Sequence, residues 1–323
     1  MTTIITFMVI LLGAYARLTD SGLGCPDWPG CYGQLLVPRE KVEIDRANQA
    51  FPERPFEEAK AWPEMIHRYA ASTLGFLILV IAAISWVNRR HPAQPAKLAG
   101  FVLALVIFQG LLGMWTVTLK LYPPVVLAHL LGGFTLFSLL TLMSLRLSQA
   151  LQPVQDHPVQ ACKPYVLGGL ALLIAQIALG GWTAANYAAL NCTQLPVCQG
   201  NWTAYLNFSE AFKLWHANDR DFEFAPHLSE SAQMTIHVSH RMGAMIVGLY
   251  LAALGFFIQF KATTLRHRRF ATGLLGLLLI QIVLGITNVK MGLPLMVAVA
   301  HNGVGALLMA TVVVLYYSIR KKA

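Results

Sequence analysis

Long apolar runs, broken by short polar stretches, dominate this chain. A membrane span needs roughly 20 apolar residues, and eight stretches approach or exceed that: Thr3–Leu18, Pro63–Val87, Leu98–Leu121, Pro124–Leu147, Pro164–Ala188, Ala232–Phe260, Phe270–Lys290 and Pro294–Ile319. Each reads as a helix, because a spanning segment must satisfy its backbone hydrogen bonds internally. Two longer polar loops, Thr19–Trp62 and Ala189–Ser231, separate the first span from the second and the fifth from the sixth. The pattern therefore predicts an all-α integral membrane protein of eight helices.

Composition excludes the soluble alternative: of 323 residues 56% are hydrophobic and only 12% charged, about half the charged share of a soluble domain. The net charge of +9 would suggest nucleic acid in a soluble protein. Here the basic residues sit at the ends of apolar runs, so they report orientation and no nucleic-acid partner is expected. The connections after even-numbered spans and the tail carry Arg89, Arg90, Lys97, Arg146, Lys163, Lys261, Arg266, Arg268, Arg269, Arg320, Lys321 and Lys322, with Asp156 the one acid. The opposite side holds twelve bases and fourteen acids. The positive-inside rule then puts both termini in the cytoplasm and both long loops outside. Cys25 and Cys31 lie in the first outer loop, and Cys192 and Cys198 in the second. An oxidising outer compartment lets each pair close a local disulfide, Cys25–Cys31 and Cys192–Cys198. Cys162 falls on the cytoplasmic side as a free thiol. Ala14-Tyr15-Ala16 resembles a leader-peptidase site, but no basic segment precedes it, and the segment is expected to be retained.

The chain also repeats itself. At an offset of 167, Leu12-Gly13 falls on Leu179-Gly180, Cys25 on Cys192 and Cys31 on Cys198. At 172 to 173, His67-Arg68 falls on His240-Arg241, Gly75 on Gly248, Gln109 and Gly113 on Gln281 and Gly285, and Ala128-His129 on Ala300-His301. Four spans per half keep both halves in one orientation. The expectation is two pseudo-symmetric four-helix bundles, residues 1–150 and 151–323. A Q-x-x-L-G motif recurs at Gln109–Gly113, Gln176–Gly180 and Gln281–Gly285, and close helix packing is favoured over ligand contact as its purpose.

Four of ten histidines carry the chemistry. His91, His157 and His267 sit in cytoplasmic connections and His216 and His227 in the second outer loop, where solvated surface is expected. His67, His129, His240 and His301 lie inside even-numbered spans near their outer ends, and an ionisable residue there points to function. His67 and His129 enter from the same side to similar depth, 62 residues apart, and His240 and His301 repeat this 61 apart. Two imidazoles at one depth in a bundle can ligate a heme iron from both faces. Copper or zinc is the rival, but two histidines without a third ligand leave zinc under-coordinated.

Arg17, Arg68 and Arg241 lie at the same outer level. They are candidates for heme propionates, with snorkelling to the interface as the alternative. Glu64 stands one turn before His67, where the second half has His237. A carboxylate there can stabilise a developing cation or accept a proton; the alternative is an exposed residue at a helix N-terminus. His237 competes with His240 as ligand, and the shared His-Arg register favours His240.

Together Glu64-Met-Ile-His67-Arg68, Ala128-His129, His240-Arg241, Ala300-His301 and Gly22-Leu-Gly-Cys-Pro-Asp-Trp-Pro-Gly-Cys31, with Cys192 and Cys198, resemble the heme A synthases of cytochrome oxidase assembly. The resemblance covers essentially the whole chain. It implies eight spans in a bacterial cytoplasmic (inner) membrane, a heme b cofactor on His240 and His301, and a substrate site for heme O at His67 and His129. It implies oxidation of the heme O C8 methyl to a formyl group, with Glu64 the acidic residue at that site. It also implies that Cys25 and Cys31 act in the reaction or its redox control, while the second pair is structural. The heme O-forming farnesyltransferase is the expected partner, the electron donor is unknown, and a homo-oligomer remains open. The competing class is a di-heme b electron carrier or quinol-oxidising subunit; a heme transporter is a third. The unequal Glu64 and His237 favour an enzyme, since a carrier needs no carboxylate in one half.

Overall fold

A computed structural model describes residues 1–91, 94–148, 155–214 and 228–319. Its helices are α1 (Thr2–Leu18), α2 (Lys41–Ala50), α3 (Glu58–Val87), α4 (Ala96–Thr118), α5 (Pro123–Leu147), α6 (His157–Gln160), α7 (Lys163–Ala185), α8 (Phe208–Ala211), α9 (Glu230–Lys261), α10 (Leu265–Lys290) and α11 (Leu295–Ser318). Seven of them, α3, α4, α5, α7, α9, α10 and α11, are long and apolar enough to cross a membrane. The first, α1, is apolar but has only 17 residues. The chain is a multi-pass membrane protein of helices. Large side chains such as Phe76, Leu249, Phe260 and Leu279 point outward and stay exposed, as a lipid-facing surface requires and an aqueous one penalises.

Local signals start these helices. Prolines occupy the first turns of α5 and α7, where a missing N–H costs nothing. Ser229 and Thr264 cap α9 and α10 by accepting from Ala232 N and His267 N. The hydropathy pattern misses polar starts, so α3 begins at Glu58 rather than Pro63 and α10 at Leu265 rather than Phe270. It also misses α2 inside the first long loop, which starts on a reciprocal Glu40–Glu43 capping box.

Helix α1 packs on α3 and α5, α3 on α4, and α4 on α5. In the second half α7 packs on α9, α9 on α10, α10 on α11, and α11 on α7. Contacts of α11 with α1 and α5, and of α5 with α7, join the two sets. The largest core cluster gathers Phe134 and Phe137 of α5 with Leu173, Leu251, Ile258, Leu274, Leu308 and Leu315 of the second half. Residues on either side of 150, including the expected division, lie outside those described, as do His216, His227 and the basic tail Arg320 to Lys322.

At the end of the helices opposite the long loops, His267 departs from expectation: it is fully buried rather than solvated. Its Nδ1 lies 2.9 Å from Asp156 Oδ2, which also accepts from Thr263 N and from the Thr264 amide and hydroxyl. Capping brings this about, because Thr264 starts α10 and turns His267 inward three residues later. His91 and His157 are exposed as expected, and Cys162 is a free but buried thiol. Burial alone would raise the Asp156 carboxyl, yet the hydrogen bonds from His267, Thr263 and Thr264 hold it at about 2, against an ordinary 3.8. Its contribution to stability is therefore complete above the ordinary value and is lost as the pH falls from there through about 2. Asp156→Ala should destabilise the protein by about 3 kcal/mol by stranding buried donors. Thermal unfolding in detergent at neutral pH should show a midpoint several degrees lower.

Candidate functional site

Each of the four intramembrane histidines presses its ring edge against a glycine of the preceding helix. A Cβ on Gly13 of α1 would lie 2.9 Å from His67 Cε1 on α3, and one on Gly180 of α7 would lie 3.0 Å from His240 Cε1 on α9. The same contact would be 3.2 Å between Gly285 of α10 and His301 of α11, and 3.6 Å between Gly113 of α4 and His129 of α5. The imidazoles interact electrostatically in pairs, His67 with His129 and His240 with His301. These glycines are the last residues of the Leu-Gly and Q-x-x-L-G motifs. Their use is more specific than helix approach in general, since the absent side chain is replaced by a histidine ring.

The glutamines of those motifs reach the same rings. Gln176 Nε2 lies 2.9 Å from His240 Nδ1 and donates to the His240 carbonyl, and Gln281 Nε2 lies 3.4 Å from His301 Nε2. Gln and Gly four residues apart share a helix face, the signal that could have tied both to the histidines. The first half differs. The residue that aligns with Gln176 is Val9, no side-chain amide meets His67 or His129, and His67 Nδ1, His129 Nδ1 and Gln109 Nε2 are buried without hydrogen-bond partners, as His301 Nδ1 is in the second half.

Above each pair stands an arginine, and both are buried rather than snorkelling. Arg68 donates through Nε to Glu64 Oε1 (2.9 Å), through Nη1 to the carbonyls of Asp27 (2.8 Å) and Gly30 (2.5 Å), and through Nη2 to that of Cys25 (3.4 Å). Arg241 repeats this on the second loop: Nε faces His237 Nε2 (3.1 Å), Nη1 reaches the carbonyls of Gln194 and Val197, and Nη2 that of Cys192. Cys25 with Cys31, and Cys192 with Cys198, lie at disulfide-bonding distance and close these loops. Every guanidinium nitrogen of both arginines is thus directed at a loop or at the residue one turn before, whereas the expected role was propionate binding. Arg17 does something else. It donates to Tyr187 Oη (2.7 Å) and the Ala184 carbonyl (2.9 Å), stacks 4.1 Å from the Tyr187 ring centre, and so ties the end of α1 to the end of α7.

Glu64 is buried, which removes the exposed-terminus alternative. His237 occupies the equivalent place as acceptor for the arginine, with Cys192 N 3.3 Å from its Nδ1. With Nε2 accepting from Arg241, Nδ1 carries the ring proton, and both nitrogens are turned to the arginine and the second loop.

This donor set fits a heme. Each site brings two imidazoles with buried nitrogens together, and among the described residues no group of three or more His, Cys, Asp or Glu could hold a bare metal ion. Two protein ligands are too few for zinc but suffice where a macrocycle supplies four nitrogens. His67 with His129, and His240 with His301, would hold such groups.

The sequence model of a family described as cytochrome oxidase assembly protein, COX15-CtaA, matches residues 1–313. A heme A synthase of Shewanella oneidensis is 48% identical over 322 residues, covering 100% of this chain and 96% of that protein. Heme A synthases of Mesorhizobium japonicum and Chelativorans sp. are each 28% identical over 330 and 324 residues, covering 93% and 94% of this chain and 83% and 84% of theirs. With a family match over nearly its whole length and a relative of that identity throughout, this chain belongs to the cytochrome oxidase assembly protein family COX15-CtaA.

Proposed function

We propose that the chain is a heme A synthase that oxidises the C8 methyl of heme O to a formyl group. It is an oxidoreductase of the bacterial cytoplasmic membrane with eight spans in two four-helix bundles, residues 1–150 and 151–323. The closed order of helix contacts in each half supports the two bundles. The seating of His67 by Gly13 supports α1 as the eighth span, since 17 residues extend about 26 Å, close to the roughly 30 Å hydrocarbon core. The uneven distribution of bases supports cytoplasmic termini and outer long loops.

One observation carries the assignment of the two sites. Side-chain amides touch both imidazoles of the second pair, His240 at Nδ1 and His301 at Nε2, and neither of the first. Outer contacts that fix a ligand's orientation suit a permanent cofactor, so His240 and His301 hold heme b. His67 and His129 hold the heme O iron in a site that must load and release. Bound in the second half, heme b supplies one-electron redox capacity. In the first half Glu64 stabilises positive charge developing beside the methyl or takes its proton, and Arg68 fixes the carboxylate. The disulfide-closed loop over this site excludes water from its outer end. In this reading Cys25 and Cys31 serve the reaction or its redox control, and Cys192 and Cys198 are structural. Propionate pairing falls to Arg17, whose Nε alone among the three arginines lacks a partner. The oxygen source is O2 or water, supplied over two successive oxygenations. Heme O arrives from its farnesyltransferase, an outside donor provides electrons, and a homo-oligomer is compatible with these roles.

Pigment extracted from purified protein should contain heme b together with heme O, heme A or a hydroxylated intermediate; two equivalents of heme b alone would make it an electron carrier. Glu64→Gln should lower turnover by about a hundredfold or more while the second-site heme stays bound, and unchanged heme A output would remove Glu64 from the chemistry. The glycine contacts set a graded series. Gly13→Ala and Gly180→Ala should strip heme from the first and second site respectively, Gly285→Ala should weaken binding, and Gly113→Ala should retain it, as heme-to-protein ratios after purification will report.

A further inference from the structure

The two outer loops are held in the same way although their sequences differ. In each, a seven-residue disulfide ring turns its carbonyls inward onto one buried arginine, and that arginine's Nε is directed to the side chain one turn before it on the same helix. The first loop is also seated by steric fit. A Cβ on Gly24 would fall 2.3 Å from the Lys60 carbonyl in the first turn of α3, and one on Gly30 would fall 2.2 Å from the Gln34 carbonyl. The Asp27 carboxylate ties the ring to the turn that follows it by accepting from Tyr32 N (2.6 Å) and Gly33 N (2.8 Å). The ring is therefore a preformed piece, and Arg68 is its main polar attachment to the helices.

A buried guanidinium is costly unless its hydrogen bonds and charge are both met. For Arg68 the loop carbonyls meet most of the first need and Glu64 meets the second, at 2.9 Å. Removal of either partner leaves the arginine under-satisfied and weakens its hold on the other. In the second half the loop carbonyls are again present, but the neighbouring acceptor is the imidazole of His237, so the clamp persists without a carboxylate. We infer that Arg68 is a positioning residue that locks the Cys25–Cys31 loop and the Glu64 carboxylate into one unit, so that opening the loop displaces the carboxylate and loss of the carboxylate loosens the loop. The clamp itself is independent of the synthase reading, and only its effect on turnover rests on it.

Thiol–disulfide exchange measures the unit directly. A small dithiol transfers two electrons and two protons to the Cys25–Cys31 bond and closes its own disulfide, and the exposed thiols are then alkylated and located by peptide mass. Exchange requires access to the sulfurs, and both Cys25 and Cys31 are fully buried. Arg68→Gln should speed reduction of Cys25–Cys31 about tenfold or more and leave Cys192–Cys198 at the parent rate. Glu64→Ala should also speed the first loop alone, by several-fold. Equal acceleration of both loops in the Arg68 variant would mean general loosening and would overturn the clamp. An unchanged first-loop rate in Glu64→Ala would overturn the coupling. A second measurement needs no arginine variant: dithiol reduction of the parent protein should produce an infrared difference band from a carboxyl group that is absent in Glu64→Gln. If the band is missing from the parent, or persists in the variant, the loop and the carboxylate are not one unit.

Discussion

The edge of an imidazole laid against a glycine is the contact on which this structure turns. An ionisable ring inside a membrane needs a place the surrounding helices do not fill, and a residue without a Cβ provides it. Four such contacts join α1 to α3, α4 to α5, α7 to α9 and α10 to α11. They fix the rotation and depth of each helix relative to its neighbour. The apolar core packs around this arrangement, and the pairing of the imidazoles in each half follows from it.

The hydropathy pattern made the long helices legible because a span is defined by length and apolarity, which a single sequence displays. Polar helix starts, as in α3 and α10, and the short α2 escaped it, since their apolar content is low and capping decides them. The four histidines were legible through the internal repeat. The destination of Arg68 and Arg241 was not, because a carbonyl acceptor leaves no trace in side-chain identity: the residues that receive these arginines are Asp27, Gly30, Gln194 and Val197, chosen by loop shape. His267 was misread for a related reason. Its sequence neighbours are basic and polar, and its burial depends on the Asp156 side chain, 111 residues away, as well as on the cap at Thr264.

Near-symmetry makes the differences informative. Positions 9 and 176 differ as valine and glutamine, and positions 64 and 237 as glutamate and histidine. The first site therefore has a freer imidazole and a buried acid one turn away, and the second has a braced imidazole with a histidine in the acid's place. A site that exchanges its contents and transforms them needs the former; one that keeps its contents needs the latter.

The Arg17 contact bears on how unlike halves find each other. Under the 167-residue offset Arg17 aligns with Ala184, and Asp20 with Tyr187, so the arginine's acceptor is its own repeat mate. Two copies of the first half set side by side would place each Arg17 beside the other copy's Asp20, and two copies of the second would place alanine and tyrosine together with no cation between them. Only the mixed pair gives the stacked, hydrogen-bonded arrangement seen here. The seam between the halves thus carries a contact that neither half could make with a copy of itself, a cation laid on an aromatic ring, placed where the two copies of the repeat have drifted apart in sequence.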